Sequence, residues 1–358
     1  MRSSNIKNGE VVDADNVYVA SDVVNCNNVE VGDVVVVVRN GSRSLIGKHG
    51  QIKKEMPNTV IGAFMTGLRS PQAEFVNTLL DTKQFDLEIT KNLGATINQI
   101  TTGAFKQMTF FVCKDEEEQT AIGTFFRTLD NTIAIYKRKL DGLRELKKSY
   151  LQVMFPQAGE AMPRVRFEGF SEDWESIELG NVFEQTARYV NPKEQNIELW
   201  SLTVENGLTP KTERYNREFL VKKDDAFKSV KPDEFIYNPM NMTLGAVDLN
   251  TTGNEVAVSG YYITMQTKQG YNNNYFAVWL KSPMAINLYK TYATGGLIEK
   301  QRVQFPTLAQ IKVVTPSFSE QEAIGNFFNS LDLQIVTLSK KVEKLAQLKN
   351  AYLQKTFV

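Results

Sequence analysis

The sequence predicts a mixed α/β chain of the α+β kind, made of two copies of one unit, each copy a globular part followed by a long helix. Three observations carry this: a gapless internal repeat, a heptad stripe in both copies of it, and short β-branched runs in the stretches between.

The repeat organises the chain. Residues 118–155 and 320–357 align without a gap at a constant shift of 202, and about eighteen of the thirty-eight positions are identical. Glu118-Gln119 falls on Glu320-Gln321, Ala121-Ile122-Gly123 on Ala323-Ile324-Gly325, and Phe125-Phe126 on Phe327-Phe328. Leu129-Asp130 falls on Leu331-Asp332 and Tyr150-Leu151-Gln152 on Tyr352-Leu353-Gln354. Two helices sharing only amphipathicity would not match this closely. Upstream the likeness is weaker: Asn8-Gly9 resembles Asn206-Gly207, Gly32-Asp33-Val34 resembles Pro232-Asp233-Glu234, and Gly47 and Gly62 match Gly245 and Gly260 at shifts of 198 to 200. The boundaries that follow are a first globular domain over 1–114, a helix over 115–156, a second domain over 157–315 and a second helix over 316–358. The first copy lacks a counterpart to roughly residues 163–203, which include Phe167, Phe170, Trp174 and Leu179.

Both helices carry a seam. Ile122, Leu129, Tyr136, Leu143 and Tyr150 recur every seven residues, interleaved with Phe126, Ile133, Leu140 and Lys147; Ile324, Leu331, Leu338, Leu345 and Tyr352 interleave with Phe328, Ile335, Val342 and Lys349. Alternating three and four over this length is the pattern of a coiled coil, and two matched stripes in one chain can satisfy each other. Acidic residues open each helix, Asp115 to Glu118 and Ser319-Glu320, where they suit the positive end of the helix dipole. Pro156 and the stretch Gln157 to Pro163 end the first helix as a linker. The basic residues Lys137, Arg138, Lys139, Arg144, Lys147 and Lys148, then Lys340, Lys341, Lys344 and Lys349, read as the solvated face of the pair rather than a phosphate track.

In the globular parts Val31 to Val38 reads as a buried strand, with Phe235-Ile236-Tyr237 in its place in the second copy. Val256 to Met265 and Ile311 to Val314 also read as strands. Ala73 to Leu80, and Tyr275 to Leu280 into Ile286-Asn287-Leu288, read as helical.

Composition narrows the function. Apolar residues make up 42% and charged residues 23%, as in a water-soluble globular protein, and with no membrane-length apolar run or signal-peptide core the reading is cytoplasmic. Cys26 and Cys113 read as two reduced thiols. Forty-one basic residues balance forty-one acidic ones, which argues against indiscriminate coating of nucleic acid while leaving room for a local basic face. The single histidine, His49, leaves no triad or metal cluster to build. Gly41 to His49 misses the phosphate-loop pattern, with five residues between its glycines and His49 where a hydroxyl is needed. Tyr237-Asn238-Pro239-Met240 lacks the second proline and the aromatic of the methyltransferase Asn-Pro-Pro-aromatic motif and reads as a turn.

The repeated Glu-Gln-x-Ala-Ile-Gly-x-Phe-Phe-x-x-Leu-Asp element, closing on Tyr-Leu-Gln-x-x-Phe, together with Arg166 to Trp174 (RFEGFSEDW), resembles the specificity subunit of Type I restriction-modification systems over nearly the whole chain. The resemblance implies two target-recognition domains, each reading half of a split DNA site, held apart by an antiparallel coiled coil with pseudo-two-fold symmetry. It implies docking of two modification (methyltransferase) subunits and recruitment of restriction subunits. It assigns S-adenosylmethionine, ATP and Mg to those partners, and implies that this chain is a non-catalytic subunit with no cofactor of its own. The rival readings are a coiled-coil interaction scaffold that binds no DNA, and a truncated or rearranged inactive allele.

On this reading the loops after the matching strands contact DNA, since Arg, Lys and Asn can meet phosphates or purine edges. Arg39, Asn40, Arg43 and Lys48 are the candidates in the first copy. Asn238 and Asn241, with Lys268, Asn272, Asn273 and Asn274 as a second polar loop, are those in the second. Phe126, Leu129, Ile133 and Leu143, with Phe328, Leu331, Ile335 and Leu345, are assigned to the coiled coil and subunit docking. A helix of about 34 residues is roughly 50 Å long, against about 34–36 Å for one DNA turn, so the site is expected to be bipartite with half-sites about one turn apart. The half read by the shortened first domain is expected to be the less strict.

Overall fold

The structure is a computed structural model that describes residues 1–7, 9–93, 98–157, 159–211, 226–296 and 301–357. Asn8 of the weak upstream repeat and Ala158 of the linker lie outside the described residues. The chain forms two units, residues 1–140 with 338–358, and residues 141–337.

The first unit is built on β1 (Ile6–Lys7), β2 (Glu10–Val11), β3 (Val34–Val37), β4 (His49–Gln51) and β5 (Met65–Leu68), in the sheet order β1-β2-β4-β3-β5. Central β3 is four buried valines because both its faces are covered. Val34 and Val36 pack with Ile46, Leu80, Phe85, Ile89 and Ile100. Val35 and Val37 pack with Ile6, Ile52 and Met65 on the other side. The strand is shorter than its apolar run, since Gly32 turns in the left-handed region at φ +99° and leaves Val31 exposed. Helices α1 (Ala73–Leu79), α2 (Lys83–Asn92) and α3 (Thr102–Lys106) follow, and then α4 (Glu116–Val153), which runs on into the second unit.

The second unit adds β6 (Glu175–Glu178), α5 (Leu179–Val182), β7 (Phe183–Thr186), β8 (Tyr189–Val190), α6 (Pro192–Gln195), β9 (Trp200–Thr203) and β10 (Gly207–Pro210). Next come β11 (Phe227–Val230), β12 (Phe235–Tyr237), β13 (Val247–Leu249), β14 (Val256–Ser259) and β15 (Ile263–Thr267). Then α7 (Asn273–Trp279), α8 (Pro283–Tyr292), α9 (Phe305–Ala309), β16 (Lys312–Thr315) and α10 (Phe318–Thr356) complete the chain. Val256 to Met265, expected as one strand, is two, because the chain reverses at Gly260, where a Cβ would come within 2.5 Å of the Ala226 carbonyl oxygen. Two helices also replace the one run expected over 275–288: Ser282 caps α8 by accepting from the Ala285 amide at 3.2 Å, as Thr82 caps α2 by accepting from Phe85 at 3.4 Å.

The same parts recur in both units. Sheet order β13-β12-β15-β7 repeats β4-β3-β5 with one strand more, β7, on the outer edge. The turn into β3 and the turn into β12 also match, one residue away from the alignment read in the sequence. Asp33, not Val34, is the twin of Glu234: each carboxylate accepts from the amide three residues back (Glu30, 2.8 Å; Lys231, 2.8 Å) and pairs with an arginine (Arg69; Arg188). Gly32 and Asp233 share the left-handed position ahead of it.

Helices α4 and α10 pack antiparallel within each unit. In the first, Phe125 meets Tyr352 with ring centroids 5.3 Å apart and Lys341 Nζ lies 2.6 Å from the Tyr136 hydroxyl, so numbers climb on one helix as they fall on the other. In the second, Tyr150 meets Phe327 at 5.0 Å and Lys147 Nζ lies 2.5 Å from Asp332. The polar contact Lys349–Asp130 at 2.6 Å is the first unit's copy of Lys147–Asp332. Both lysines are therefore seam residues tied across the helix pair rather than part of a solvated face.

Candidate nucleic-acid interface

Each unit extends a loop from the end of its central strand and closes it with a glycine. In the first unit the Val37 amide donates to the Lys48 carbonyl and Gly47 donates back to Val37, both at 2.8 Å. Gly47 is left-handed at φ +86°, and a Cβ there would press on Ile89 at 3.2 Å. In the second unit the Asn238 amide donates to the Ala246 carbonyl at 3.0 Å, and Gly245 is likewise left-handed at φ +89°, though its amide donates to Met242 within the loop at 2.9 Å. A side chain at either position would strain the closure.

A second segment lies along each loop. The Ile100 amide donates to Val38 at 2.8 Å, and the Val303 amide donates to Pro239 at 3.0 Å. This brings Gln99, in a bridge with Arg39, to one loop, and exposed Arg302 to the other. Sequence reasoning missed both residues. Their repeat spacing of 203 differs from the 201 of the strands, so only the apolar pair Ile100 and Val303 marks them.

Within the first loop Arg39 lays its guanidinium 4.8 Å from the centre of the half-exposed Phe64 ring, a cation–π contact that still leaves its edge to solvent. Asn40 is engaged: its Nδ2 donates to Ser3 at 3.1 Å and its Oδ1 accepts from the Ser42 amide at 3.0 Å. Arg43 is exposed in a short 3-10 turn (Arg43–Leu45), and Lys48 is half-buried. In the second loop Asn238 Oδ1 accepts from the Met240 amide at 3.0 Å, shaping the turn, while the Asn241 side chain is exposed at its tip. Arg39 and Arg43 in one unit, and Asn241 and Arg302 in the other, are thus exposed at the loops, with Gln99 half-buried beside Arg39.

The seam residues lie inside the helix pair. Phe126, Ile133, Phe328 and Leu331 are buried, and Leu129, Leu143, Ile335 and Leu345 half-buried. The four buried ones offer a partner subunit no free surface. Outward-facing apolar residues are different ones: Ile135 and Leu348 in the first unit, Leu146, Leu333 and Val336 in the second, with Leu146 and Leu348 at the same repeat position.

A Type I restriction-modification system S subunit from M. genitalium superposes at TM-score 0.64 with 17% identity, over 93% of this chain and 84% of that one. The chain has the fold of a Type I restriction-modification S subunit. A second solved chain, from work on complex assembly and conformational transition of the type I R-M system, superposes at TM-score 0.52 with 12% identity, over 99% of this chain and 90% of that one. No protein-family model matches the sequence, and no curated protein matches it.

Within this S-subunit fold the second polar loop of the sequence reading is structural. Asn272 caps α7 by accepting from the Tyr275 amide at 3.0 Å, and its own amide donates to Gln321 of α10 at 3.0 Å. Asn273 donates to the Asp233 carbonyl at 3.2 Å and accepts from Thr267. Asn274 lies under Gly325, whose Cβ would approach its own at 2.9 Å. Lys268 donates to the Gly180 carbonyl at 2.7 Å. Among the described residues no group of three or more His, Cys, Asp or Glu is placed to hold a metal ion, and no helix is long and apolar enough to cross a membrane.

Charge pairs stiffen the frame behind the loops. Arg69 grips Asp33 through Nε and Nη2 at 2.7 and 2.8 Å and holds its carboxyl below the ordinary value. Lys349 reaches Asp81 at 2.7 Å as well as Asp130. Burial would raise the Asp81 carboxyl, but the His49 ring, whose Nε2 lies 3.3 Å from Asp81, and the Lys349 charge outweigh it and hold it low. Asp130 is pushed up by burial, which Lys349 only partly offsets.

Proposed function

We propose that this chain is the DNA-reading specificity subunit of a Type I restriction-modification complex. One observation carries the reading: a single loop design, closed by a left-handed glycine and backed by a second segment, is presented by both repeats of an S-subunit fold. Repetition of one reading surface suits a bipartite site, one half per unit, with an unread spacer. Arg39, Arg43 and Gln99 read one half, with Lys48 toward phosphate; Asn241 and Arg302 read the other, and Asn40 and Asn238 hold the loops in shape. Arginine forks suit guanine O6 and N7, and amide side chains suit adenine N6 and N7.

The outward faces of α4 and α10 dock two modification subunits, and the assembled complex takes up restriction subunits. Methyl transfer from S-adenosylmethionine, and ATP- and Mg-dependent cleavage, belong to those partners. Working on DNA with them, the chain acts in the cytoplasm. The domains that do this follow the boundaries 1–114 and 157–315, with helices over 115–156 and 316–358 between and after them.

Mapping methylated sites in a host that carries this chain with its modification subunits tests the reading. A split motif with a spacer of fixed length is expected, and exchange of residues 238–246 is expected to change one half only. A single unbroken motif, or methylation that ignores the exchange, refutes it.

A further inference from the structure

In the second unit the start of α10 is covered by the segment leading into β6. Arg166 donates from Nε and Nη2 to the two Glu320 oxygens at 2.8 and 2.7 Å, and the Trp174 indole N–H donates to Glu320 at 3.2 Å. The Trp174 ring lies against Tyr275, Phe167 lies against Phe327, and β6 pairs antiparallel with β16. Glu320 is 1% exposed and Trp174 6%, while Arg166, Phe167 and Phe327 are half-buried around them.

The first unit has the matching cradle. Glu118 is the twin of Glu320, Phe75 of Tyr275, Phe125 of Phe327, Ile122 of Ile324 and Phe357 of Phe155. The twinned rings even keep their spacing, Phe75–Phe357 at 5.5 Å against Phe155–Tyr275 at 5.7 Å. Residues 110–113 stand where β16 stands but have no strand partner among the described residues. Here Glu118 is exposed, Phe111 is 83% exposed and Phe125 47%. A cleft of about 200 Å³ opens among Phe75, Phe111, Cys113, Glu118, Ile122 and Phe357.

We propose that this cleft docks an extended segment of a partner polypeptide having the chemistry of Arg166–Glu178. Its arginine pairs with Glu118, an indole eight residues on covers Phe75, and the strand after it pairs with residues 110–113. Charge selects a cation, because Glu118 follows Asp115, Glu116 and Glu117 in the opening of α4. The chain's own copy of the segment cannot serve, since it is buried in the second unit with its arginine spent on Glu320.

A fluorescein-labelled peptide of residues 162–179, titrated into the full chain by anisotropy, tests this. Saturable one-to-one binding is expected, weakened about tenfold or more by Glu118→Gln, or by Arg166→Ala or Trp174→Ala in the peptide. Glu118 is exposed, so E118Q leaves the fold intact. Alkylation of Cys113 is expected to slow when peptide is bound, while exposed Cys26 reacts at an unchanged rate and serves as the internal control. Absence of saturable binding overturns the proposal. So does binding that E118Q leaves unchanged, including binding lost only on Glu320→Gln, which would place the peptide in the second unit, and so does a Cys113 rate that peptide leaves unaltered.

Discussion

Arg166 holds Glu320 with two parallel hydrogen bonds in a setting almost closed to water. The carboxylate accepts desolvation because the guanidinium meets both its oxygens. Arg166→Ala is therefore expected to destabilise the second unit by about 3–5 kcal/mol, because it strands a buried charge. Glu118→Ala, at the exposed twin position, is expected to change stability by no more than about 0.5 kcal/mol. Urea denaturation of both variants measures the contrast.

Gly123 and Gly325 make a second matched pair. A Cβ on Gly123 would lie 2.6 Å from the Phe75 amide nitrogen, and one on Gly325 2.8 Å from that of Tyr275. Backbone cannot yield there as a flexible side chain could. Alanine improves helix propensity by about 1 kcal/mol at an unencumbered site. At each of these the overpacking is expected to prevail, for a net loss of about 1–3 kcal/mol by chemical denaturation.

The seam and the outward face respond differently. Phe126→Ala and Phe328→Ala each empty a buried ring site and are expected to cost about 3–5 kcal/mol. Leu146→Asp and Leu348→Asp alter exposed positions, so melting temperature is expected to hold. Pull-down of modification subunits by the proposed complex is expected to fall. Unimpaired pull-down by both aspartate variants would move docking off this face.

Asp33 supplies a pH signature. Its carboxyl is held low chiefly by the Arg69 hydrogen bond, with burial opposing and the Glu30 amide assisting. A depressed acid stabilises the fold at pH above its ordinary value of 3.8, and that contribution is lost as pH falls through the lower folded value. The difference in stability between wild type and Asp33→Asn is expected to be full at pH 6 and to shrink below about pH 4. Equilibrium unfolding across that range measures it.

For DNA reading, Arg43→Ala and Asn241→Ala are each expected to relax one half of the methylated motif and leave the other intact, at a cost of about 1–3 kcal/mol if the lost contact is to a base edge. Equal weakening on all sequences, with a shallower salt dependence, would mark a phosphate contact instead.

The long helices were legible because a seam repeated through thirty-eight residues outweighs any one exception, and because the two copies check each other. The antiparallel pairing came from the resemblance. The turn ahead of the central strand was misregistered by one residue. Letter matching favours Asp33 over Asp233, whereas the geometry pairs Asp33 with Glu234, a side chain one methylene longer doing the same work. The polar run Asn272 to Asn274 looked like a reading loop because asparagine serves a helix cap and a base edge with the same atoms. Gln99 and Arg302 were hidden because long-range hydrogen bonds, not spacing, carry them to their loops.

The first unit takes its last pieces, Lys349 and Phe357, from beyond the second unit in sequence, whereas the second is a continuous stretch, 141–337. Domains emerging from a ribosome usually fold in the order they are made. Here that order is inverted. Residues 1–140 must wait, their apolar helix stripe uncovered, until residues 338–357 have been made as well, so their exposure to chaperones and proteases is expected to follow the time taken to translate the intervening stretch.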